Sequence, residues 1–382
     1  MGAPGSRAPV SGERDKGCTR LILRWLSAPR LLISCGEPSG DLYGGELLRH
    51  LRPRLPGLEV FGLGGEHVLG EQTVLLGHVR DLAVLVDYPS FNLRLARELK
   101  RRGVPVVYYI SPQIWAWKGW RIREIQRNVA HMLVIFPFEQ ALYERAGVPV
   151  TFVGHPLVDL VRPATDRAAF LRGAGLDPSR PVVAVLPGSR PTELRYNLPA
   201  LAGGIRLLAE RHPEIQFLLA IAPSLDPATL QSALGPVPVT LLAGQTHAVL
   251  GAATLAVVVS GTATVEAALL GTPMIVVYRV ASLTYALGRR MIRVPHAAMA
   301  NLIAGREVVP ELIQWDCTPA RVAGESLRLL DDPNRLARMR GDLAQVAQRL
   351  GAPGASDRAA EAVLKYYLSL GEKKLDRKGG YM

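Results

Sequence analysis

Short apolar runs, rich in β-branched residues, alternate with amphipathic helical patterns along most of this 382-residue chain. In the first part of the chain, the runs that predict strands are 31–34, 60–63, 84–86, 104–109, 132–136 and 151–153. This alternation is typical of right-handed β-α-β crossovers, which build a parallel sheet with helices on both faces. The pattern therefore predicts a doubly wound, Rossmann-like α/β domain over residues 30–155, preceded by a loose leader at 1–29.

A polar, proline-containing segment at 156–180 has the turn chemistry of a connector. A second alternation follows, with strands predicted at 182–186, 216–221, 239–242, 255–259 and 274–277. After Tyr278 only helices are expected, around 283–293, 320–330, 334–350 and 355–370. We therefore predict a second Rossmann-like domain at 181–350, and a C-terminal helix with a frayed tail at 351–382.

Several classes of protein are excluded by the sequence. No stretch approaches the roughly 18 consecutive apolar residues that span a bilayer, and Arg24 interrupts the apolar piece of the leader, which therefore lacks a secretory signal. The three cysteines, Cys18, Cys35 and Cys317, have no metal-binding spacing and an odd count, which argues against a zinc site and a disulfide framework. These features predict a cytoplasmic protein without a metal site.

The chain carries 45 basic and 33 acidic residues, a formal net charge of +12. Such an excess favours an anionic partner, which is a nucleic acid, an anionic lipid surface or a phosphate-bearing substrate. No zinc finger, RNA-recognition signature or block of five basic residues occurs in the sequence, which argues against nucleic acid. The charge alone does not choose between the other two.

Two parallel sheets in one chain predict a ligand cleft between the carboxyl ends of their strands. Gly188, Ser189 and Arg190 follow the predicted strand 182–186 and precede a helical pattern. Gly188 allows close backbone approach, Ser189 can cap the helix or bond a phosphate, and Arg190 offers a bidentate fork to an anion. The alternative is an ordinary turn with a solvated arginine.

The same arrangement recurs after strand 255–259, where Ser260, Gly261 and Thr262 precede a helix that carries Glu266. Free amides and hydroxyls suit an anion, and Glu266 can accept hydrogen bonds from both hydroxyls of a ribose. A carboxylate in a first helical turn is equally well explained by the helix dipole. Together the two turns favour a nucleotide diphosphate, while the P-loop and dinucleotide fingerprints are absent from the sequence.

In the first domain, Ser39, Gly40 and Asp41 lie at the sheet edge that should face the cleft, although Ser39 and Asp41 are also natural N-cap residues. Asp87 stands at the tip of strand 84–86, where partial desolvation raises a carboxyl pKa towards the range of a general base. The alternative is that Asp87 only caps a helix that starts near Asn92.

Three of the five tryptophans, Trp115, Trp117 and Trp120, stand in one loop beside basic residues. Lone tryptophans usually belong to a core, but three in one loop can line an apolar or sugar-binding surface. We place Trp115 on the acceptor side of the cleft, together with Asn92 and residues 39–41.

Eight runs, in order along residues 31–367, resemble the lipid-A-disaccharide synthase family, which are glycosyltransferases of the GT-B fold. The runs are 34–42 (SCGEPSGDL), 86–95 (VDYPSFNLRL), 109–118 (YISPQIWAWK), 136–143 (FPFEQALY), 148–156 (VPVTFVGHP), 186–190 (LPGSR), 260–269 (SGTATVEAAL) and 301–314 (NLIAGREVVPELIQ). Eight collinear runs are a far more specific signal than any one motif.

The resemblance implies an inverting hexosyltransferase that joins UDP-2,3-diacylglucosamine to 2,3-diacylglucosamine 1-phosphate and releases UDP. The product is the β-1,6-linked disaccharide of lipid A. The resemblance also implies that Asp87 is the general base, that Arg190 and Asn301 lie around UDP, that Glu266 binds the ribose, and that no metal or other cofactor is needed. It further implies a homodimer paired through C-terminal helices, and peripheral attachment to the cytoplasmic face of the inner membrane, with which the positive charge agrees.

The sequence departs from the family pattern in two places. Residues 1–29 are extra, and the segment between Gly65 and Asp87 is considerably shorter than in the family, where it includes an apolar helix that meets membrane and acyl chains. Two alternatives therefore stand beside the synthase. One is another GT-B enzyme with a UDP-N-acetylglucosamine-type donor, and the other is a non-catalytic, UDP-binding, membrane-associated relative.

Overall fold

Two six-stranded parallel sheets, each flanked by helices, organise the chain. The computed structural model describes residues 29–70, 81–162, 166–223, 225–289, 291–292 and 294–379. The predicted leader up to residue 28, with Cys18, lies outside the described residues, as do residues 71–80 of the shortened segment.

The first sheet has the strand order β2-β1-β3-β4-β5-β6, and all of its neighbours are parallel. Its strands are β1 (Arg30–Cys35), β2 (Glu59–Leu63), β3 (Leu82–Val86), β4 (Val106–Tyr109), β5 (His131–Val134) and β6 (Val150–Phe152). Every residue of β3 is buried, because helices cover both faces of a parallel sheet. The register pairs Cys35 with Val86, so the turns that follow β1 and β3 leave the sheet side by side.

The second sheet has the order β12-β11-β10-β7-β8-β9 and is also parallel. Its strands are β7 (Val182–Leu186), β8 (Gln216–Ile221), β9 (Thr240–Ala243), β10 (Leu255–Val259), β11 (Met274–Tyr278) and β12 (Glu311–Ile313). The chain order reverses between the central neighbours β7 and β10. This is the topological switch point, outside which ligands bind in open α/β sheets.

Helices connect the strands. In the first half of the chain they are α1 (Pro38–Leu51), α2 (Glu66–Gly70), α3 (Pro89–Arg101), α4 (Ile122–Asn128), α5 (Pro137–Arg145), α6 (Leu157–Leu160) and α7 (Arg167–Gly173). In the second half they are α8 (Pro191–Arg211), α9 (Pro227–Leu234), α10 (Thr246–Ala252), α11 (Thr262–Leu269), α12 (Ser282–Arg289), α13 (Met299–Ala304), α14 (Pro319–Leu330), α15 (Pro333–Arg349) and α16 (Ala355–Gly379). Many of them begin with proline, whose fixed φ and missing amide proton suit the first helical position.

The prediction of two doubly wound domains is confirmed, and the predicted strands lie within a few residues of the observed ones. The prediction that strands end after Tyr278 is wrong, because β12 pairs with β11 and α13 precedes it. A three-residue strand is too short to give a periodic signal. Residues 371–379, predicted as a frayed tail, continue α16, and the predicted connector contains α6 and α7.

The last helix returns to the first domain. The Asp357 carboxylate in α16 accepts a 2.6 Å hydrogen bond from Arg54, and Arg358 Nε donates to the Val153 carbonyl at 2.8 Å. The backbone crosses over just before, where the His155 amide donates to the Leu350 carbonyl at 2.8 Å. These bonds attach the C-terminal helix to the first domain.

Candidate functional site

The carboxyl ends of the two sheets face each other across a cleft, and an ion pair joins them. Glu37, which follows β1, accepts a 2.7 Å hydrogen bond from Arg190 Nη2, which follows β7. Tyr43 in α1 is buried, which raises its pKa, and the nearby carboxylate of Glu266 in α11 raises it further. The turns that the sequence predicted to line a cleft therefore meet from both domains.

The turn after β7 requires glycine and already holds a carboxylate. Gly188 has φ 103°, where a side chain is strained, and an added Cβ would lie 2.5 Å from Glu193 Oε2. Glu193 accepts hydrogen bonds from the amides of Ser189 at 2.9 Å and Arg190 at 3.2 Å. The amides expected to bind an anion are thus satisfied by Glu193, and the exposed Arg190 guanidinium is the group presented to the cleft.

The turn after β10 differs from the turn after β7, because its glycine and threonine are exposed. Ser260 Oγ donates to the Ala297 carbonyl at 2.9 Å, while Gly261 and Thr262 are exposed at the start of α11. The first-turn amides of a helix have no acceptor within the helix. Glu266 lies in the second turn of α11, so the interpretation of this residue as a first-turn dipole partner is wrong. Its carboxylate is 3.6 Å from His247 Nε2.

Asn301 does not reach the cleft with a free polar group. It is fully buried in α13, its Nδ2 donates to the Val309 carbonyl and to Glu311, and its Oδ1 accepts from the amides of Val308 and Val309. Glu311 in turn accepts from the Ala297 amide at 2.9 Å. Asn301 therefore fixes the loop whose carbonyl is bound by the serine hydroxyl after β10.

Asp87 occupies a strained turn at the tip of β3. Asp87 and Tyr88 have φ values of 48° and 46°, two successive left-handed residues that are not glycine. Such a conformation costs of order 1–3 kcal/mol per residue and persists only where the surroundings enforce it. The helix after this turn begins at Pro89 with Tyr88 as its N-cap, so the interpretation of Asp87 as the helix cap is wrong.

The backbone of Asp87 is held by two neighbours. Tyr108 donates its hydroxyl to the Asp87 carbonyl at 2.6 Å. Asn92 is fully buried, and its Nδ2 lies 2.9–3.2 Å from the carbonyls of Ser34, Val86 and Asp87, while its Oδ1 accepts from Ser34 Oγ at 2.8 Å. One side chain therefore ties β1, β3 and the strained turn together.

We expect Asn92→Ala to destabilise the fold by about 2–4 kcal/mol, because several buried carbonyls lose a donor and each unsatisfied group costs about 1–3 kcal/mol. Urea unfolding of the variant and the wild type measures this difference. The matched change Ser34→Ala removes only the hydroxyl partner of Asn92 and should cost less than half as much. Equal losses in the two variants would contradict the central position of Asn92.

The surroundings of Asp87 raise the pKa of its carboxyl group. The pKa of Asp87 is raised to about 6, mainly by burial and additionally by the Glu37 carboxylate. The Tyr88 amide and the Arg190 guanidinium act in the opposite direction, because both favour the charged carboxylate. A carboxylate with a pKa near 6 is ionised at neutral pH and is a competent general base.

The other residues predicted on the acceptor side lie at different distances from Asp87. Glu37 is the N-cap of α1, so the interpretation of Ser39 and Asp41 as N-caps is wrong. Asp41 points away, and its carboxylate accepts hydrogen bonds from the amides at 65, 67 and 68, which fixes the start of α2. An added Cβ on Gly40 would lie 3.9 Å from Asp87 Cβ, so Gly40 packs directly behind the candidate base.

Trp115 is oriented by a buried glutamate that the sequence analysis did not single out. Its Nε1 donates to Glu139 Oε1 at 3.0 Å, and the Phe136 amide donates to Glu139 Oε2 at 3.2 Å. Burial raises the pKa of Glu139 to about 7. The signal was the run of residues 136–139 (FPFE), since a glutamate at the third helical position accepts from the N-cap amide. Trp117 and Trp120 are exposed instead.

A mainly apolar groove of about 390 Å³ opens between the N-terminal half of α8 and the helix α9. Leu194, Leu198, Leu225 and Leu230 line it, together with Pro191, which directly follows Arg190. Both helices start at the carboxyl edge of the second sheet, so the groove begins beside the cleft.

Two further findings concern the part of the chain that the structure describes. It contains no group of three or more histidine, cysteine, aspartate or glutamate side chains placed to hold a metal ion. Within the same residues, no helix combines the length and the apolar character that a membrane crossing requires.

Comparisons by sequence give a consistent match. The family model described as "Lipid-A-disaccharide synthetase" matches residues 72–366. A "Lipid-A-disaccharide synthase" from Geobacter sulfurreducens is 43% identical over 372 residues, which take in 88% of this chain and 97% of the relative. One from Syntrophus aciditrophicus is 41% identical over 375 residues, covering 89% of this chain and 98% of the relative.

Comparisons by structure identify the GT-B fold. A UDP-N-acetylglucosamine 2-epimerase from Neisseria meningitidis, solved with UDP-N-acetylglucosamine bound, gives a TM-score of 0.63 at 14% identity and covers 88% of this chain and all of that chain. An Anabaena protein solved with UDP and glucose gives a TM-score of 0.57 at 14% identity, with 89% and 100% coverage. The predicted arrangement of two Rossmann-like domains around a cleft is confirmed.

Proposed function

This chain belongs to the lipid-A-disaccharide synthase family of glycosyltransferases, and from that premise we propose that it transfers a 2,3-diacylglucosamine unit from UDP to the 6-hydroxyl of 2,3-diacylglucosamine 1-phosphate. The single observation that carries the proposal beyond the family assignment is the strained, partly buried Asp87. This carboxylate has a pKa of about 6 and shares the cleft with the exposed Arg190. An inverting transfer needs one base for the acceptor hydroxyl and one cation for the departing diphosphate.

The second domain is proposed to bind UDP. Arg190 presents its guanidinium to the cleft, where a diphosphate can replace Glu37 as its partner. Glu266 is proposed to accept the ribose hydroxyls, and the exposed turn formed by Ser260, Gly261 and Thr262 to donate amides and a hydroxyl to a phosphate. Asn301, with Ser189 and Gly188 behind the arginine, acts by holding the two turns in place.

The first domain is proposed to bind the acceptor. The Asp87 carboxylate removes the proton of the attacking hydroxyl as the new glycosidic bond forms and the bond to UDP breaks, which inverts the configuration at the anomeric carbon. Gly40 and Asn92 position Asp87 from behind, and the Trp115 ring offers an apolar face to the sugar or its acyl groups.

The proposed substrates carry acyl chains, for which the groove between α8 and α9 is a suitable place because it is apolar and starts beside Arg190. The lipid substrates also place the enzyme, as a peripheral protein, at the cytoplasmic face of the inner membrane. The net charge of +12 supports this position, because anionic lipids attract basic surfaces. A homodimer remains part of the proposal.

The test is UDP release from UDP-2,3-diacylglucosamine in detergent micelles, with and without 2,3-diacylglucosamine 1-phosphate. We expect release that depends on the acceptor. Release with unacylated UDP-N-acetylglucosamine and a different acceptor would favour the alternative GT-B enzyme. UDP binding without turnover in any combination would favour the non-catalytic relative, which the short segment between Gly65 and Asp87 motivates.

A further inference from the structure

Nine large apolar side chains are exposed in the described part of the chain. They are Leu63, Phe91, Trp117, Trp120, Leu283, Leu287, Met291, Ile292 and Trp315. Apart from Leu63, the last residue of β2, each of them lies in the connection that follows a strand. Four of them, at 283, 287, 291 and 292, stand within one span of ten residues, whereas scattered single residues would be normal for a soluble protein.

The densest part of this surface is α12 with the turn that follows it. Leu283 is 73% exposed and Leu287 is 60% exposed, and no residue of the helix is buried. The amides of Met291 and Ile292 both donate to the Gly288 carbonyl, and the exposed Met291 stands four positions after Leu287. A single eight-residue helix is marginal in water without a partner for its apolar face. We call Leu283, Leu287 and Met291, which follow one another at intervals of four residues, the α12 stripe.

The charge around the α12 stripe selects its partner. Arg289 is exposed at the end of the helix, the sequence continues with arginines at 290 and 293, and no acidic residue occurs between Glu266 and Glu307. A second copy of the chain, paired face to face on this stripe, would bring another basic border and no acidic residue from this segment to pair with Arg289. An apolar stripe with a basic border fits the interface of an anionic bilayer.

We propose that the α12 stripe is the surface by which this protein lies on an anionic membrane. The inference rests on the proposed function in one respect, because lipid substrates give a reason for the cleft to face the bilayer. The leucines and Met291 enter the boundary between headgroups and acyl chains, and Arg289 pairs with lipid phosphates. The stripe follows β11, next to β10 and its proposed UDP turn, so docking brings the donor site of the full-length protein to the membrane surface.

The test is cosedimentation of the full-length protein with vesicles of equimolar phosphatidylcholine and phosphatidylglycerol, and with vesicles of phosphatidylcholine alone. We expect the double variant Leu283→Ser/Leu287→Ser to lower the partition coefficient on the anionic vesicles at least tenfold, since two exposed leucines leave the bilayer. We expect Arg289→Gln to lower it about fivefold on anionic vesicles and hardly at all on neutral ones. The matched control is Trp315→Ser, which removes an equally exposed apolar side chain beside Asp316 and should change little.

Three results would overturn the proposal: no binding of the wild type to anionic vesicles, unchanged binding of the double variant, or an equal loss in the Trp315 control. A double variant that changes from dimer to monomer in analytical ultracentrifugation while its vesicle binding is unchanged would make the stripe a self-association surface instead. Turnover in detergent micelles tests the proposed function separately. If no variant and no wild type turns over but the binding pattern holds, the proposed function fails and the membrane surface stands.

Discussion

Replacing Asp87 by asparagine is expected to lower kcat roughly 10²- to 10⁴-fold, the usual contribution of a general base, while UDP affinity changes less than twofold. Asparagine keeps the size of the side chain but accepts no proton. The wild type should also lose activity as the pH falls through about 6, because the pKa of Asp87 is raised to about 6 and only the ionised carboxylate acts as a base. The residual activity of the variant should lack this acid limb.

The measurement is kcat/KM for acceptor-dependent UDP release between pH 5 and 8, for the wild type and Asp87→Asn. UDP titration by calorimetry and urea unfolding control for the binding site and the fold. Undiminished turnover, or an acid limb near pH 6 that persists in the variant, would remove Asp87 as the base and shift attention to the other carboxylate at the cleft, Glu37.

Replacing Arg190 by alanine is expected to lower kcat/KM about 10- to 100-fold, with a matching loss of UDP affinity, because a charge-assisted hydrogen bond is worth about 1.5–3 kcal/mol. The acid limb should also move to higher pH, since the guanidinium lowers the pKa of Asp87. The matched control is Arg206→Ala, an exposed arginine in α8, the helix that follows Arg190, about 24 Å further along, which should change neither quantity.

Glu37→Gln should act in the opposite direction. It frees Arg190 from its 2.7 Å partner, so UDP affinity should rise a few-fold, and it removes a negative charge that raises the pKa of Asp87, so the acid limb should move to lower pH. The pH profiles of Arg190→Ala and Glu37→Gln therefore move apart. Profiles that shift in the same direction would contradict a shared site for these three residues.

The sequence determined the architecture through local rules. Short apolar runs predicted eleven of the strands. The turns at 187–190 and 260–262 were predicted to line the cleft because glycine and hydroxyl residues follow buried strands there. The three-residue β12 could not be predicted from the sequence, because it is a strand only through its pairing with β11.

Only the tertiary structure decided which polar groups are free. Glu193 stands beside a predicted ligand-binding turn, but its carboxylate accepts the hydrogen bonds of the Ser189 and Arg190 amides. Asn301 was itself a predicted ligand-binding residue, but its side chain makes all of its hydrogen bonds to residues 308–311. The Asp41 carboxylate likewise accepts hydrogen bonds from the amides at the start of α2 and does not face the cleft.

The ion-pair partner of Arg190 and the raised pKa of Asp87 both depend on residues that are far apart in the sequence. Glu37 and Arg190 are 153 positions apart, and the burial that raises the pKa of Asp87 comes from strands and helices on all sides of β3. A periodic pattern or a turn is fixed by residues a few positions apart, so the sequence reveals it directly. Desolvation and ion pairing across a cleft depend on distances that are set only when the two sheets come to face each other.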